Sequence, residues 1–293
     1  MHTLVLALLL LAILVFLSRR VQNRARAWLQ ARPARLFAAP AGLTLLFCGL
    51  AASSGALSIP LALLVAVYTF APALAAFAQG TAPGKRPSWL DFAIILMLWL
   101  PLEFSAGGDL IPRAAQGFLH SAAYGMAILL ALVIFLGFRA LPGMKYNLPG
   151  ARDLAGGVAG FLVTAPVLIV LGRLLGFIPP FHLPAHPSPG RIGLTFSAIL
   201  AGTALPEEIL FRSLIQNWFM QRYGFTTRML LVSGFIFGCA HLDNGPQPLP
   251  NWRYMILATI AGIAYGKVFQ KSSSVFSSAT FHALVDAVKH LFF

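Results

Sequence analysis

The sequence predicts an all-α, polytopic transmembrane helix bundle, and three observations carry that prediction. Hydrophobic residues make up 58% of the 293 and charged residues only 10%, well below the ~25% charged residues of soluble domains. Apolar runs of roughly 15–20 residues, the length that crosses a bilayer as helix, recur from end to end. The basic residues gather in short stretches between those runs, as the positive-inside rule requires.

Ten apolar segments lie near residues 3–17, 36–54, 57–77, 89–103, 118–138, 155–175, 192–221, 229–242, 253–268 and 274–292. They predict eight to ten spans, the lower numbers applying if one hairpin is re-entrant. The first segment, Thr3 to Leu17, has no positive residue before it and is followed at once by Arg19, Arg20, Arg24 and Arg26. That order describes a retained anchor with its start outside, rather than a cleaved signal peptide. The second and third segments are weakly separated at Ser53-Ser54-Gly55. The fourth carries Asp91 and Glu103 at its margins, where snorkelling is the simpler account. The sixth precedes Gly176 to Gly190, a stretch rich in proline and histidine that reads as an external loop. His120, His182, His186 and His290 fall at span ends or in that loop, where solvated side chains explain them. The seventh, eighth and tenth segments contain the polar residues considered below.

The formal net charge of +13 would suggest nucleic acid in a soluble protein. Here sixteen of the 21 Lys and Arg residues occupy alternate loops and only five the opposite ones. That asymmetry excludes nucleic-acid binding and places the N-terminus outside, with the richer loops in the cytoplasm of a bacterial-type membrane. Arg212 is counted among the sixteen although it lies inside a segment; removing it leaves the asymmetry intact. Cys48 and Cys239 read as small buried hydrophobes, and no cysteine–histidine spacing matches a structural zinc site.

The chain holds only eight acidic residues, and two of them, Glu207 and Glu208, stand adjacent inside an apolar run. A charge at the centre of a membrane helix costs at least about 2.5–3.5 kcal/mol, and ionisable groups found there usually serve a function. Pro206 begins a helix or kinks one that starts near Ile192. In either case Glu208 and Arg212 are four apart and meet across one turn, while Glu207 points about 100° away. The pair divides into one orienting carboxylate and one working carboxylate of the kind that serves as a general base. In the second element, Phe237 lies one turn before His241, and Gly238 allows close helix approach. In the third, Asp286 lies one turn after His282, where it either fixes the imidazole tautomer or shares a metal with it. At 1.5 Å per residue from the nearest cytoplasmic basic residue, Glu207, His241 and His282 lie about 22, 20 and 17 Å deep. Three sequence-distant elements thus reach one level. Each has a plain structural reading alone, as an ion pair or a packed histidine, but their common depth favours a shared site.

In this order, Glu207-Glu208-x-x-x-Arg212, Phe237-x-x-x-His241 and His282-x-x-x-Asp286 resemble the three motifs of the CPBP family. These intramembrane proteases include the CAAX prenyl endopeptidases and the abortive-infection-like proteins. The resemblance covers Ile192 to the C-terminus. It implies that residues 191–293 form a catalytic helical core and residues 1–190 a set of N-terminal transmembrane helices of unassigned role, in one integral domain. By position, Glu207 with His241 would activate water, His282 and residue 286 would stabilise the oxyanion, and Glu208 and Arg212 would support the site. Where the commoner pattern has asparagine this chain has Asp286, and a carboxylate donates no hydrogen bond unless protonated. Asp286 is therefore expected to orient His282.

The function expected is hydrolysis of a peptide bond in a membrane-associated or lipid-modified protein, by glutamate- and histidine-activated water with no required cofactor. Zinc held by His241, His282 and Glu207 would equally satisfy a catalytic metal site. The rival readings are a proton-coupled transporter and a non-enzymatic immunity or scaffold protein. The transporter fits less well, since the ionisable groups share one depth instead of lining a path.

Overall fold

Once apolar segments are removed from water, their backbone groups must pair internally, and a helix does this within one segment. A computed structural model describes residues 2–81, 86–183, 188–245 and 247–293, and among these the regular structure is helical throughout. His186, named above, and Lys85, one of the sixteen basic loop residues, lie outside the described residues. Every one of the ten apolar segments is helix. Among the described residues five helices are long and apolar enough to cross a membrane, or six if one bent pair counts as a span. The difference from eight to ten has a physical source. Trp89–Glu103 and Thr227–Cys239 have 15 and 13 residues, short of the ~20 that span hydrocarbon. Of the two C-terminal helices, Phe276–Phe292 has only 17 residues, and Trp252–Lys271 has 20 but includes Arg253, Lys267 and Lys271.

The chain divides into two compact units, Met1–Pro142 and Gly143–Phe293. The first contains α1 (His2–Val15), α2 (Arg19–Ala31), α3 (Ala38–Ser53), α4 (Ile59–Gln79), α5 (Trp89–Glu103) and α6 (Arg113–Phe138). Two details differ from the sequence reading. The basic stretch after the first segment is not a loop but the amphipathic helix α2, bent 87° from α1, with Leu29 buried and Arg19, Arg20 and Arg24 exposed. Asp91 does not snorkel. It is fully buried and forms a bidentate pair with Arg139, Nε to Oδ1 at 2.9 Å and Nη2 to Oδ2 at 3.1 Å. It also closes a capping box with Ser88 at the start of α5. Glu103 accepts a hydrogen bond from Trp99 Nε1 at 2.8 Å.

The second unit contains α7 (Ala151–Leu174), α8 (Pro189–Tyr223), α9 (Thr227–Cys239), α10 (Trp252–Lys271) and α11 (Phe276–Phe292). Its packing therefore begins well before residue 191, because α7 lies against α11. Glycines make that approach possible. A Cβ on Gly157 would overlap the Ser277 carbonyl, and one on Gly160 would fall 2.8 Å from the Phe281 ring. Gly238 lets α9 approach α10 as expected, since a Cβ there would stand 2.6 Å from the Met255 carbonyl oxygen.

The turn between α10 and α11 sets the position of α11, and it is fastened from the start of the unit. Lys145 Nζ donates to the carbonyls of Phe269, Gln270 and Ser272 at 2.7, 3.1 and 2.8 Å. The ammonium thus gathers carbonyls at and just beyond the C-terminus of α10, where helical acceptors lack intrahelical donors. Burial pushes the Lys145 ammonium down from its usual range, against the opposing pull of Asp153. Asp153 accepts from the backbone N–H and hydroxyl of Ser273, both at 2.7 Å, and from Gly150 N–H at 3.0 Å. Beyond α7, Phe177 and Ile178 are buried rather than looped into solvent, and His182 N–H donates to the Phe292 carbonyl at 2.9 Å. His120, His182 and His290 are exposed, and Cys48 and Cys239 are half-buried free thiols.

Candidate active site

Pro206 has no N–H to continue the helical ladder, yet α8 does not begin or break there. The helix runs on from Pro189, widened into π-helical turns at Leu200–Ala204 and Ile209–Gln216. Glu207 and Glu208 sit in the short α-helical turn between them, Leu205–Glu208. Such widened turns are frequent at functional sites. Here they place a pair of adjacent carboxylates in the middle of a long apolar helix.

Glu208 and Arg212 are both fully buried, with Nε 3.1 Å from Oε2. The guanidinium lies 4.9 Å from the Phe237 ring centroid and 6.0 Å from that of Tyr265. Its Nη1 also donates to Gln216 Oε1 at 3.4 Å, and Gln216 Nε2 donates to the Gly266 carbonyl at 3.0 Å. The pair is thus joined to α9 and α10. The other Glu208 oxygen faces α11, with Oε1 3.3 Å from His282 Nδ1. The opposite ring nitrogen, Nε2, is 3.4 Å from Asp286 Oδ2 and 3.9 Å from Glu207 Oε2. Three carboxylates therefore surround one buried imidazole. A ring carrying both N–H groups can donate on both sides.

Aromatic rings fix the imidazoles. Tyr265 stacks on His282 with centroids 4.7 Å apart and planes 19° apart. Phe237 lies between the two histidines, 5.7 Å from the His282 ring and 4.7 Å from that of His241. His241 lies just beyond the C-terminus of α9, which ends at Cys239, so the expected span to residue 242 is shortened. Its backbone N–H donates to Gly238 O at 3.0 Å. Its Nδ1 lies 2.8 Å from the Phe237 carbonyl, which leaves Nε2 as the nitrogen available for other work. Tyr254 packs edge-on against it at 4.6 Å.

A cavity of about 70 Å³ adjoins this cluster, lined by Phe237, His241, Tyr254, Tyr265, His282, Asp286 and Lys289 together with apolar residues of α7, α10 and α11. A water needs roughly 10–15 Å³ by this kind of measure, so several fit. Glu207 and Asp286 each keep 29% of their side-chain surface exposed, while the Glu208 side chain has none. The accessible carboxylate is therefore the one expected to work. The fully buried one is locked to arginine.

The zinc arrangement expected from His241, His282 and Glu207 does not fit this geometry. Among the described residues no group of three or more His, Cys, Asp and Glu is disposed to hold a metal ion. Both nitrogens of His282 already face carboxylate oxygens, and a ligand nitrogen must be free to bind metal.

Tyr254, Tyr265 and Gln216 were not identified from the sequence. A tyrosine within an apolar helix is an ordinary core residue by pattern, and only its stacking on a histidine from another helix marks it out. Gln216, two turns after Glu208 on the same helix face, was the legible one.

The family model described as Type II CAAX prenyl endopeptidase Rce1-like matches residues 189–288. No curated protein and no solved structure matches the chain. The matched segment starts at the first residue of α8 and contains every residue of the cluster just described.

Replacing Arg212 with Met should cost about 3–5 kcal/mol of stability, because Glu208 is left buried without its counter-charge. Converting Glu208 to Gln in the same chain should restore part of that loss. Denaturant or thermal unfolding of the purified protein reads both, and an Arg212→Met protein as stable as wild type would contradict the assignment.

Proposed function

We propose, for a membrane protein with an Rce1-like CAAX-protease domain over residues 189–288, hydrolysis of a peptide bond within the membrane by a glutamate-activated water. The observation that carries this reading is the approach of Glu207 to His282, at 3.9 Å, beside a cavity of about 70 Å³ that His282 lines. Glu207 takes a proton from water, and the remaining hydroxide oxygen attacks the scissile carbonyl carbon. His241 holds that water from the α9 side. The carbonyl oxygen becomes an oxyanion facing the His282 Nε2–H, which stabilises it. When the C–N bond breaks, Glu207 returns the proton to the leaving nitrogen.

Glu208 and Arg212 are positioning residues in this scheme. Glu208 fixes His282 through Nδ1 while Arg212 fixes Glu208. Asp286 orients the same ring from the other side, as suits a residue that lacks a donor. The substrate is a membrane-associated protein, cut near its end or its membrane segment, and its lipid modification is part of the proposal.

Glu207→Gln and His241→Ala should each reduce cleavage by about 10²–10⁴-fold, the usual contribution of acid–base groups, while the protein still inserts and purifies. New protein termini in membranes with the active chain, missing with Glu207→Gln, would reveal the substrate. Normal processing by both variants would refute the reading.

We also place the N-terminus outside a bacterial-type cytoplasmic membrane, on the distribution of Lys and Arg. With Cys48 and Cys239 replaced by Ser, a single cysteine at Thr3 should react with a membrane-impermeant thiol reagent added to intact cells. Labelling only after lysis would reverse the orientation.

A further inference from the structure

The most basic stretch of the chain takes no part in the site described above. Residues 19–35 hold six arginines and no acid, and Arg19, Arg20, Arg24 and Arg32 are exposed. All eight acidic residues of the chain are among the described ones, and none forms an ion pair with an arginine of this stretch. Asp91, the acid at this end of its unit, is held by Arg139 at 2.9 Å. Glu103 and Asp109 lie at the far ends of α5 and α6. Any anion that meets these arginines therefore comes from outside the chain.

The placement of α2 says where that anion lies. α1 is apolar from Leu4 onward and packs on α6, where a Cβ on Gly125 would stand 3.4 Å from Leu9. α6 is itself long and apolar enough to cross a membrane. The chain then bends by 87°, so α2 crosses the end of α6. Gln30 Nε2 donates to the Phe138 carbonyl at 3.4 Å, and a Cβ on Gly137 would fall 2.8 Å from Leu29. An amphipathic helix so placed lies in the plane of the lipid headgroups. At about 100° per residue, Val21, Ala25 and Leu29 share the face toward α6, and Arg20 and Arg24 point away. Trp28, 49% exposed, stands at the border between the two faces. The Arg35 guanidinium lies 5.1 Å from the Trp28 ring centroid and donates to the Trp28 carbonyl at 2.9 Å. Indoles in such positions sit at the membrane–water boundary.

We propose that α2 is a binding surface for anionic phospholipid, with Arg19, Arg20 and Arg24 meeting the phosphates and Trp28 seated beside them at headgroup level. This surface is independent of the peptidase reading and of the residues that serve it. Guanidinium groups pair with phosphate through parallel N–H···O bonds, and basic residues beside a bilayer favour anionic lipid. A lipid fits better than a soluble acidic partner, because Trp28 shares the surface and α2 follows directly on the apolar α1.

Trp28 reports the contact directly. Purified full-length protein is placed in phosphatidylcholine bilayers in which the same minor fraction of lipid carries brominated chains, as phosphatidylglycerol or as phosphatidylcholine. The fluorescence quenched in wild type but absent from Trp28→Phe measures lipid at α2. Brominated phosphatidylglycerol should quench this component at least about twofold more than brominated phosphatidylcholine. Arg19→Gln, Arg20→Gln and Arg24→Gln together should remove the difference, whereas Lys at all three positions should keep most of it. The preference should also shrink at about 1 M salt, where screening acts within about 3 Å. Equal quenching by both lipids, no quenching of Trp28 by either, or a preference that survives the triple Gln substitution would each overturn the proposal. Wild-type protein that shows no lipid preference but binds a labelled single-stranded RNA, with binding lost in the triple variant, would also overturn it by assigning the arginines to nucleic acid. All four substituted side chains are exposed. Cleavage by Glu207→Gln tests the peptidase reading separately, so either can fail alone.

Discussion

The buried contact between Glu208 and His282 governs the arrangement of the second unit. Charged and polar groups in apolar surroundings are tolerated only when they face one another. Glu208 meets Arg212 with one oxygen and His282 with the other. This single carboxylate therefore ties α8 to α11. Through the aromatic faces around Arg212 it also ties α8 to α9 and α10. An isolated ion pair of this kind adds little stability. What it adds here is a fixed geometry for groups that would otherwise be expelled from the bilayer.

That constraint separates two neighbouring glutamates by role. Both lie on one helical turn, but the widened helix on either side and the 100° step between them send one inward to arginine and leave the other partly exposed. The cavity then meets His282, Asp286 and His241, and Glu207 stands 3.9 Å from the His282 ring. The glycines of α7, α9 and α10 matter for the same reason. They bring the backbones close enough for rings from α9 and α10 to pack around the imidazoles. Lys145 and Asp153 hold the turn that leads into α11, so even the start of the unit bears on where His282 stands.

Much of this was legible in the sequence. Apolar runs marked the helices, because hydrophobicity over a full span is a strong signal. The i, i+4 spacing of Glu208–Arg212 and His282–Asp286 marked their pairing within a helix. Contacts between helices were not legible. Asp91 pairs with Arg139, 48 residues away, and at a span margin it looked no different from a solvated residue. The arginine-rich segment after α1 was read as a loop because its charge suggested solvent. Its Leu29 and Val21 fall on one face, and only the period of that face reveals α2. The end of α9 was placed beyond His241 because an apolar run does not show where hydrogen bonding gives way to a turn.

The catalytic reading requires Glu207 on α8 and His282 on α11 to stand 3.9 Å apart beside the cavity that His282 lines. Cysteines at these two positions, in a chain with Cys48 and Cys239 replaced, test it directly in native membranes. A short bis-methanethiosulfonate reagent should join them rapidly within one chain, detected as a linked peptide after digestion. The absence of that link, while each single cysteine still reacts with a monofunctional thiol reagent, would contradict the account.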